Sequence, residues 1–352
     1  MKKYLIGLLA ATMMAAPACA EPAPADARHP AAPSEAKQPA ALPDADPAMW
    51  VVRDEDTTIY LFGTFHLMDG RADWFNEEIK EAFDRSQELV FEVDLPEDQA
   101  QVAAQMQPLI ARYALDASGR TLSSRLTAEQ NRKLNEALAT IGVPAGAFDR
   151  MEPWFANMML TAVMGQKLGL NPENGAETVL RRAAGNRMTL GSVETIEGQI
   201  QMLDSLPEEA QLTALRETLN NMDEMQAVLP RMLRVWNSGD AEGLDAVMNE
   251  GFKDNPQMRR IMLGARNEKW AEWIANRLNR PGTVFMAVGA GHLVGNDSVQ
   301  TFLARRNIRS QRVPGSGGPT AASTGTGTGT GRAAGNYPPC RSRSDDRCIQ
   351  RR

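Results

Sequence analysis

Histidine is scarce in this chain and its placement is informative. The 352 residues contain three His. Two of them close the same local pattern, Gly63-Thr64-Phe65-His66 and Gly289-Ala290-Gly291-His292. Each pattern follows a run of β-branched, aromatic and aliphatic residues, Thr57 to Phe62 and Thr283 to Val288. Glycine at a strand end permits a sharp turn or a positive φ, and it lets a ligand or another strand approach closely. A third apolar run, Val90-Phe91-Glu92-Val93, carries a carboxylate. On a buried strand that group is costly unless it is paired or bound to a metal; the alternative is the solvent face of an edge strand. Two neutral imidazoles and one carboxylate suit Zn²⁺, Mn²⁺, Fe²⁺ or Co²⁺ and leave positions for water. An ion held that way makes hydroxide available near neutrality. His66, Glu92 and His292 are thus the candidate metal ligands, and Gly63 and Gly289 the glycines that shape the site. Asp94 is a rival ligand, turned to the same face as Glu92 by the strand period of two. The competing reading of each histidine is a satisfied core or loop residue. The helical His-Glu-x-x-His arrangement is absent.

A second polar group is Arg266-Asn267, on a stretch that also carries Trp270 and Trp273. Arg266 or Asn267 could neutralise a carboxylate or hold an oxyanion; the competing reading is a buried salt bridge. Glu177 and Glu194 fall near element ends, where a cap or a structural ion pair is the ordinary role.

The elements that must position these residues follow from periodicity. Trp50 to Val52 and Thr57 to Gly63 read as strands joined by the polar turn Arg53 to Asp56. Asp73 can cap a helix running to about Ser86, with Trp74, Phe75, Ile79, Ala82 and Phe83 at helical spacing. Leu89 to Val93 is a further strand, which completes a strand-helix-strand unit. Thr127 and Gln130 form a capping-box signature. Phe148 to Leu168 reads as a buried helix whose methionines fill core. A short strand at Met188 to Leu190 precedes helices over Ile196 to Arg280. Asp297 with Gln300 marks a late helix start, and Ile308 to Val313 reads as an edge strand. The expected fold is α/β: a small, mostly parallel sheet built from both ends of the body, with a large helical insertion over about residues 96–185. In open sheets of this kind ligands sit beyond the carboxyl ends of the strands.

The formal charge of −6 offers no basic face for nucleic acid. Lys2 and Lys3, the apolar stretch Tyr4 to Met14 and the small-residue site Ala18-Cys19-Ala20 make residues 1–20 an export signal. That reading places the protein in the periplasm. The alternative is a lipoprotein anchored through Cys19, the one reading that brings a membrane partner. Residues 21–47 form an Ala/Pro-rich linker containing His29, residues 48–314 the α/β domain, and residues 315–352 a Gly/Thr-rich flexible tail. Cys340 and Cys348 are the cysteines left once Cys19 departs, and an oxidising compartment would join them in a disulfide. No apolar run reaches the roughly 18 residues of an integral membrane span.

The motifs WVVRDEDTTIYLFGTFHLMDGRADWF, ELVFEVDL, MEPWFANMML, SVETIEGQIQMLDSLP, RNEKWAEWI and TVFMAVGAGHLVG, spread across about residues 48–313, resemble the TraB/GumN family in content and order. The resemblance implies kinship with Tiki-type metal-dependent peptidases and a distant likeness to the erythromycin-esterase and haem-binding ChaN-like group. It implies metal ligation by His66, Glu92 and His292, with Glu92 a ligand or the general base and Arg266 or Asn267 stabilising the oxyanion. Where bacterial relatives often carry Gly-hydrophobic-Asp, this chain has Gly175-Ala176-Glu177. The expected function is a periplasmic metal-dependent hydrolase, a peptidase acting on peptide or protein with Mn, Co or Zn. The alternative is a non-catalytic envelope protein binding haem, metal or peptide on the same fold.

Overall fold

The computed structural model describes residues 42–252 and 256–315. Residues 1–20, expected to be an export signal, with Cys19, and His29, most of the Ala/Pro-rich stretch and the segment with Cys340 and Cys348 lie outside those residues. Within them six strands form one sheet: β1 (Met49–Arg53), β2 (Thr57–Thr64), β3 (Glu88–Val93), β4 (Thr189–Glu194), β5 (Gly282–Gly289) and β6 (Ser310–Arg312). Their order is β4-β3-β5-β2-β1-β6. The β2–β5, β5–β3 and β3–β4 pairs are parallel, and β1 runs antiparallel to both β2 and β6. The sheet is therefore mostly parallel, as the sequence predicts.

Helices fill the connections. They are α1 (Glu77–Asp84), α2 (Gln99–Leu109), α3 (Ala128–Ala139), α4 (Pro153–Lys167), α5 (Ala176–Ala184), α6 (Ile196–Asp204), α7 (Glu208–Asn220), α8 (Met222–Asn237), α9 (Ala241–Phe252), α10 (Pro256–Arg259), α11 (Ala265–Arg277) and α12 (Val299–Ala304). No described helix is long and apolar enough to cross a membrane.

The interior strands read as continuous apolar runs because both of their faces are covered. Tyr60, Phe62, Phe91, Phe285 and Ala287 point to one face, where α1, α5, α8 and α9 pack. Ile59, Leu61, Val90, Val284, Met286 and Val288 point to the other, beneath α11 and α12. The methionines of α4 fill two further clusters among the middle helices, as expected of core residues. The Thr127–Gln130 capping box forms in both directions.

Two predicted helix starts shift. Asn76, not Asp73, precedes α1, because the backbone of Asp73 is tied to Pro43 and Ala45 in an extended bridge. Ser298, not Asp297, caps α12, because the Asp297 carboxylate binds Arg259.

The topology sets up the site. β5 enters between β2 and β3, in register Thr64↔Gly289 and Phe91↔Ala287. The parallel strands β2, β3 and β5 end at one edge of the sheet. His66 lies just past β2, Glu92 near the end of β3 and His292 just past β5.

Candidate active site

The glycines of the two Gly-x-x-His patterns are required by close approach, not by unusual φ. A Cβ on Gly63 would lie 2.9 Å from the Ala290 Cα, and one on Gly289 would lie 2.9 Å from Glu92 Oε1. Each omission lets a strand end touch its neighbour. In particular, the Gly289 amide donates to Glu92 Oε1 at 2.7 Å.

Glu92 is on an interior strand with its side chain 13% exposed. It accepts from Gly289 N on Oε1, and from Arg266 Nη2 (2.8 Å) and Gln199 Nε2 (3.2 Å) on Oε2. Burial alone would push its pKa up. The Arg266 guanidinium, His292, His66 and the Gly289 amide outweigh burial and hold it down at about 2.

Arg266, on α11, is the hub. Its Nε and Nη2 grip Glu194 at 2.8 and 2.9 Å, Nη2 also reaches Glu92, and Nη1 faces the Met262 carbonyl at 3.1 Å and His292 Nε2 at 3.2 Å. All five of its N–H bonds are thus engaged. Glu194 also accepts from Trp270 Nε1 and Gln199 Nε2, each at 2.9 Å. It reaches Arg266 because β4 pairs with β3 in register Val93↔Glu194.

Asn267 sets the tautomer of His292. Its Nδ2 donates to the Asp297 carbonyl at 2.6 Å, which leaves Oδ1 to accept from His292 Nδ1 at 2.6 Å. The Nδ1 of His292 therefore carries the proton, and Nε2 presents a lone pair toward the site. That nitrogen lies 3.5 Å from Glu92 Oε1. His292 is fully buried. Burial and the nearby Arg266 charge outweigh Glu92 and lower its pKa to about 3, so the ring stays neutral.

His66 is positioned by α5. The Ala176 amide donates to the Phe65 carbonyl at 2.9 Å. A Cβ on Gly175 would lie 2.2 Å from the His66 carbonyl oxygen, so glycine alone lets the start of α5 dock there. This brings Glu177, in the first turn, to 2.6 Å from His66 Nδ1. Both atoms are buried and neither makes a well-directed hydrogen bond. Burial lowers the His66 pKa, but Glu177 and then Glu92 raise it by more, and the net shift is upward. Asp94 is not on the face of Glu92. β3 ends at Val93, the alternation ends with it, and Asp94 pairs at 2.5 Å with Arg181 of α5.

Two carboxylates, Glu92 and Glu194, thus bind one guanidinium, and a third, Glu177, faces His66. The excess negative charge matches a divalent cation. So does the donor chemistry: neutral imidazole, carboxylate, and buried polar atoms of His66 and Glu177 that lack directed partners. The donors do not form a closed cage. Among the described residues, the set of three ligand atoms within 4.8 Å of one another belongs to Asp44, Asp46 and Glu77, beside α1.

The structure thus brings His66, Glu92, Arg266, Asn267 and His292 together with Gly63 and Gly289. It adds Glu177, Glu194, Gln199 and Trp270. Their sequence signals were weak, since two glutamates near element ends look like caps until β4 is known to lie beside β3.

A model of the TraB/PrgY/gumN family matches residues 48–312. The uncharacterized protein YbaP of Escherichia coli (strain K12) is 28% identical over 183 residues, 52% of this chain and 67% of YbaP. Metalloprotease TIKI1 of Danio rerio is 23% identical over 317 residues, 77% of this chain and 64% of the relative. Metalloprotease TIKI2 of Xenopus tropicalis is 24% identical over 326 residues, 79% of this chain and 62% of the relative. The chain spans less than two thirds of these two metalloproteases. No solved structure matches it.

Proposed function

The chain belongs to the TraB/PrgY/gumN family, and from that premise we propose that it is an exported, periplasmic, metal-dependent hydrolase that cleaves peptide bonds. One observation carries the reading. Two histidines just past neighbouring parallel strands meet partly buried carboxylates, Glu177 at His66 and Glu92 at His292, and the excess negative charge asks for a cation. The relatives named metalloprotease support it.

His66, Glu92 and His292 would hold the ion, with Glu177 beside His66. A bound divalent ion would supply a water of lowered pKa and polarise the scissile carbonyl. The chain's own groups divide the remaining work. Asn267 fixes the ring of His292 so that Nε2 faces the site. Glu92 is held ionised, which suits a ligand or hydrogen-bond acceptor better than a base that must keep a proton near neutrality. Arg266 keeps Glu92 and Glu194 in place. It serves an oxyanion, or frees His292 Nε2 as a ligand, only when one of its contacts yields. Hydrolysis adds water across the C–N bond and releases a carboxylate and an amine.

That full engagement of Arg266 favours a second reading, a binding protein that retains metal or peptide without turnover. Elemental analysis of the purified protein separates the two, run on wild type, His66→Ala and His292→Ala beside a peptide-cleavage assay with and without chelator. The hydrolase reading expects a near-stoichiometric divalent metal lost in both variants and cleavage abolished by chelation. Metal without turnover would turn the assignment to a binding protein. Unchanged metal content in both variants would remove these histidines from the site.

A further inference from the structure

We propose that the cavity beside His66 is a specificity pocket that takes a large apolar side chain, Leu- or Met-sized, of a peptide. The proposal rests on the peptidase reading and extends it to the class of substrate. The space between its walls and across its open mouth is about 680 Å³. It adjoins the candidate site: His66 lines it, and so does Gly289, whose amide donates to Glu92. A substrate with its scissile bond at His66 and Glu92 therefore places an adjoining side chain in this space.

The walls define what fits. Leu170, Leu229, Met232, Leu233 and Met248 line them. The lining holds no Asp, Glu, Lys or Arg, so a charged substrate side chain would lose water and gain no partner. The two methionines, from α8 and α9, are unbranched and polarizable and can repack around guests of different outline. Leu, Met and Phe side chains should therefore all enter, and Ala should leave most of the wall uncovered.

Besides His66, one polar side chain of the lining lacks a hydrogen-bond partner. The Thr64 hydroxyl is buried, with the residue 3% exposed, and has no hydrogen-bond partner. The other threonine in the lining, Thr161, already donates to the Asn157 carbonyl at 2.9 Å. Thr64 sits at the end of β2, two residues before His66. A buried unpaired hydroxyl at the junction of apolar pocket and reaction site is suited to a peptide group of the substrate backbone. An acyl chain or free hydrocarbon would fill the walls and leave Thr64 unanswered.

The test uses full-length protein and peptides of the form acetyl-Ala-Ala-X-Ala-Ala-amide, with X as Met, Leu, Ala or Asp, and decanoate as an acyl probe. Two readouts run in parallel. One is kcat/KM by mass spectrometry in the presence of Mn²⁺, Co²⁺ or Zn²⁺. The other is the NMR shift of ¹³C-labelled Met232 and Met248 methyls, which needs no turnover. Peptides with X as Met or Leu should move both methyls and be cleaved at least about tenfold better than X as Ala, with X as Asp poorer still. Filling the pocket with Met248→Trp, or with Leu229→Phe if the first variant does not fold, should reverse the preference between Met and Ala. Thr64→Val should raise KM for every X and leave the preference unchanged. Methyl shifts with no cleavage of any peptide would leave the pocket standing and remove the peptidase reading. Equal cleavage of all four peptides, methyls that move for none, or methyls that move for decanoate alone would overturn the pocket proposal.

Discussion

Glu92 and His292 share a pocket, and each has its pKa displaced downward, to about 2 and about 3. The consequence for stability has a definite sign. An unfolded glutamate takes its proton near 4.5, so in acid the unfolded state binds that proton first. The stability Glu92 contributes is full above 4.5 and is lost as pH falls from there toward 2. His292 acts in the same direction over a higher window, from its ordinary 6.5 toward 3. His66 has a raised pKa, so its contribution is full below 6.5 and is lost as pH rises through its folded value. The metal-free protein should therefore be most stable near neutrality. For Glu92 the shift corresponds to on the order of 3 kcal/mol. Urea unfolding in chelator from pH 7 to pH 3 measures it. Glu92→Gln should be less stable than wild type at pH 7 and should lose much less below pH 4.5. Equal acid slopes in the two proteins would remove Glu92 as the source. At this scale the sequence was informative where chemistry repeats a pattern. Both Gly-x-x-His motifs, Glu92 and Arg266-Asn267 stood out. Glu177 was read as a cap or ion-pair residue and Gln199 was not singled out, because what they do depends on which element the fold lays against them.

Elements place those side chains through a few contacts that tolerate no extra atom. The start of α5 is the clearest case. Gly175 has an ordinary φ of −58°, so its backbone would accept alanine. The obstacle is the His66 carbonyl oxygen, 2.2 Å from where a Cβ would sit. Gly175→Ala should push α5 away from the end of β2, destabilise the protein by about 1–3 kcal/mol and part Glu177 from His66. Gly191 on β4 is the control, since its Cβ would meet only Val90 Cγ2, at 3.8 Å. Gly191→Ala should leave stability unchanged or slightly raised. Thermal unfolding and metal stoichiometry on both variants check the pair, and equal behaviour would mean that the α5 contact does not position the site. The long strands were legible because their apolar runs are continuous. The ends of helices were less so. Asp73 and Asp297 are good cap residues by type, but tertiary partners take up the Asp73 backbone and the Asp297 carboxylate, and Asn76 and Ser298 precede the helices instead. β4 was read short, as Met188 to Leu190, because Gly191-Ser192 resembles a turn until β3 offers it a partner.

At the scale of the molecule, the order of strands in the sheet differs from their order in the chain. β5 forms late in the sequence and enters between β2 and β3, and no local pattern announces that insertion. Yet it is what brings His292 to His66 and Glu92, residues read far apart along the chain. β4 and α5, from the middle of the chain, supply Glu194 and Glu177, and α11 supplies Arg266 to bind two of the carboxylates. The early strands, the middle of the chain and its late elements all contribute to one charged cluster. An ion bound there would be linked to global unfolding and not to a local loop, because no partial structure keeps its ligands together. Binding only to the folded state at a concentration 100-fold above Kd contributes about 2.7 kcal/mol. For a folded body of this size that should raise Tm by roughly 5 °C. Chelation of the loaded wild type should lower Tm by that amount in a single cooperative step. In His66→Ala and His292→Ala, chelation should leave Tm unmoved, although each starts from a different baseline. A chelator-sensitive Tm that survives in both variants would place the ion elsewhere, with Asp44, Asp46 and Glu77 the next residues to substitute.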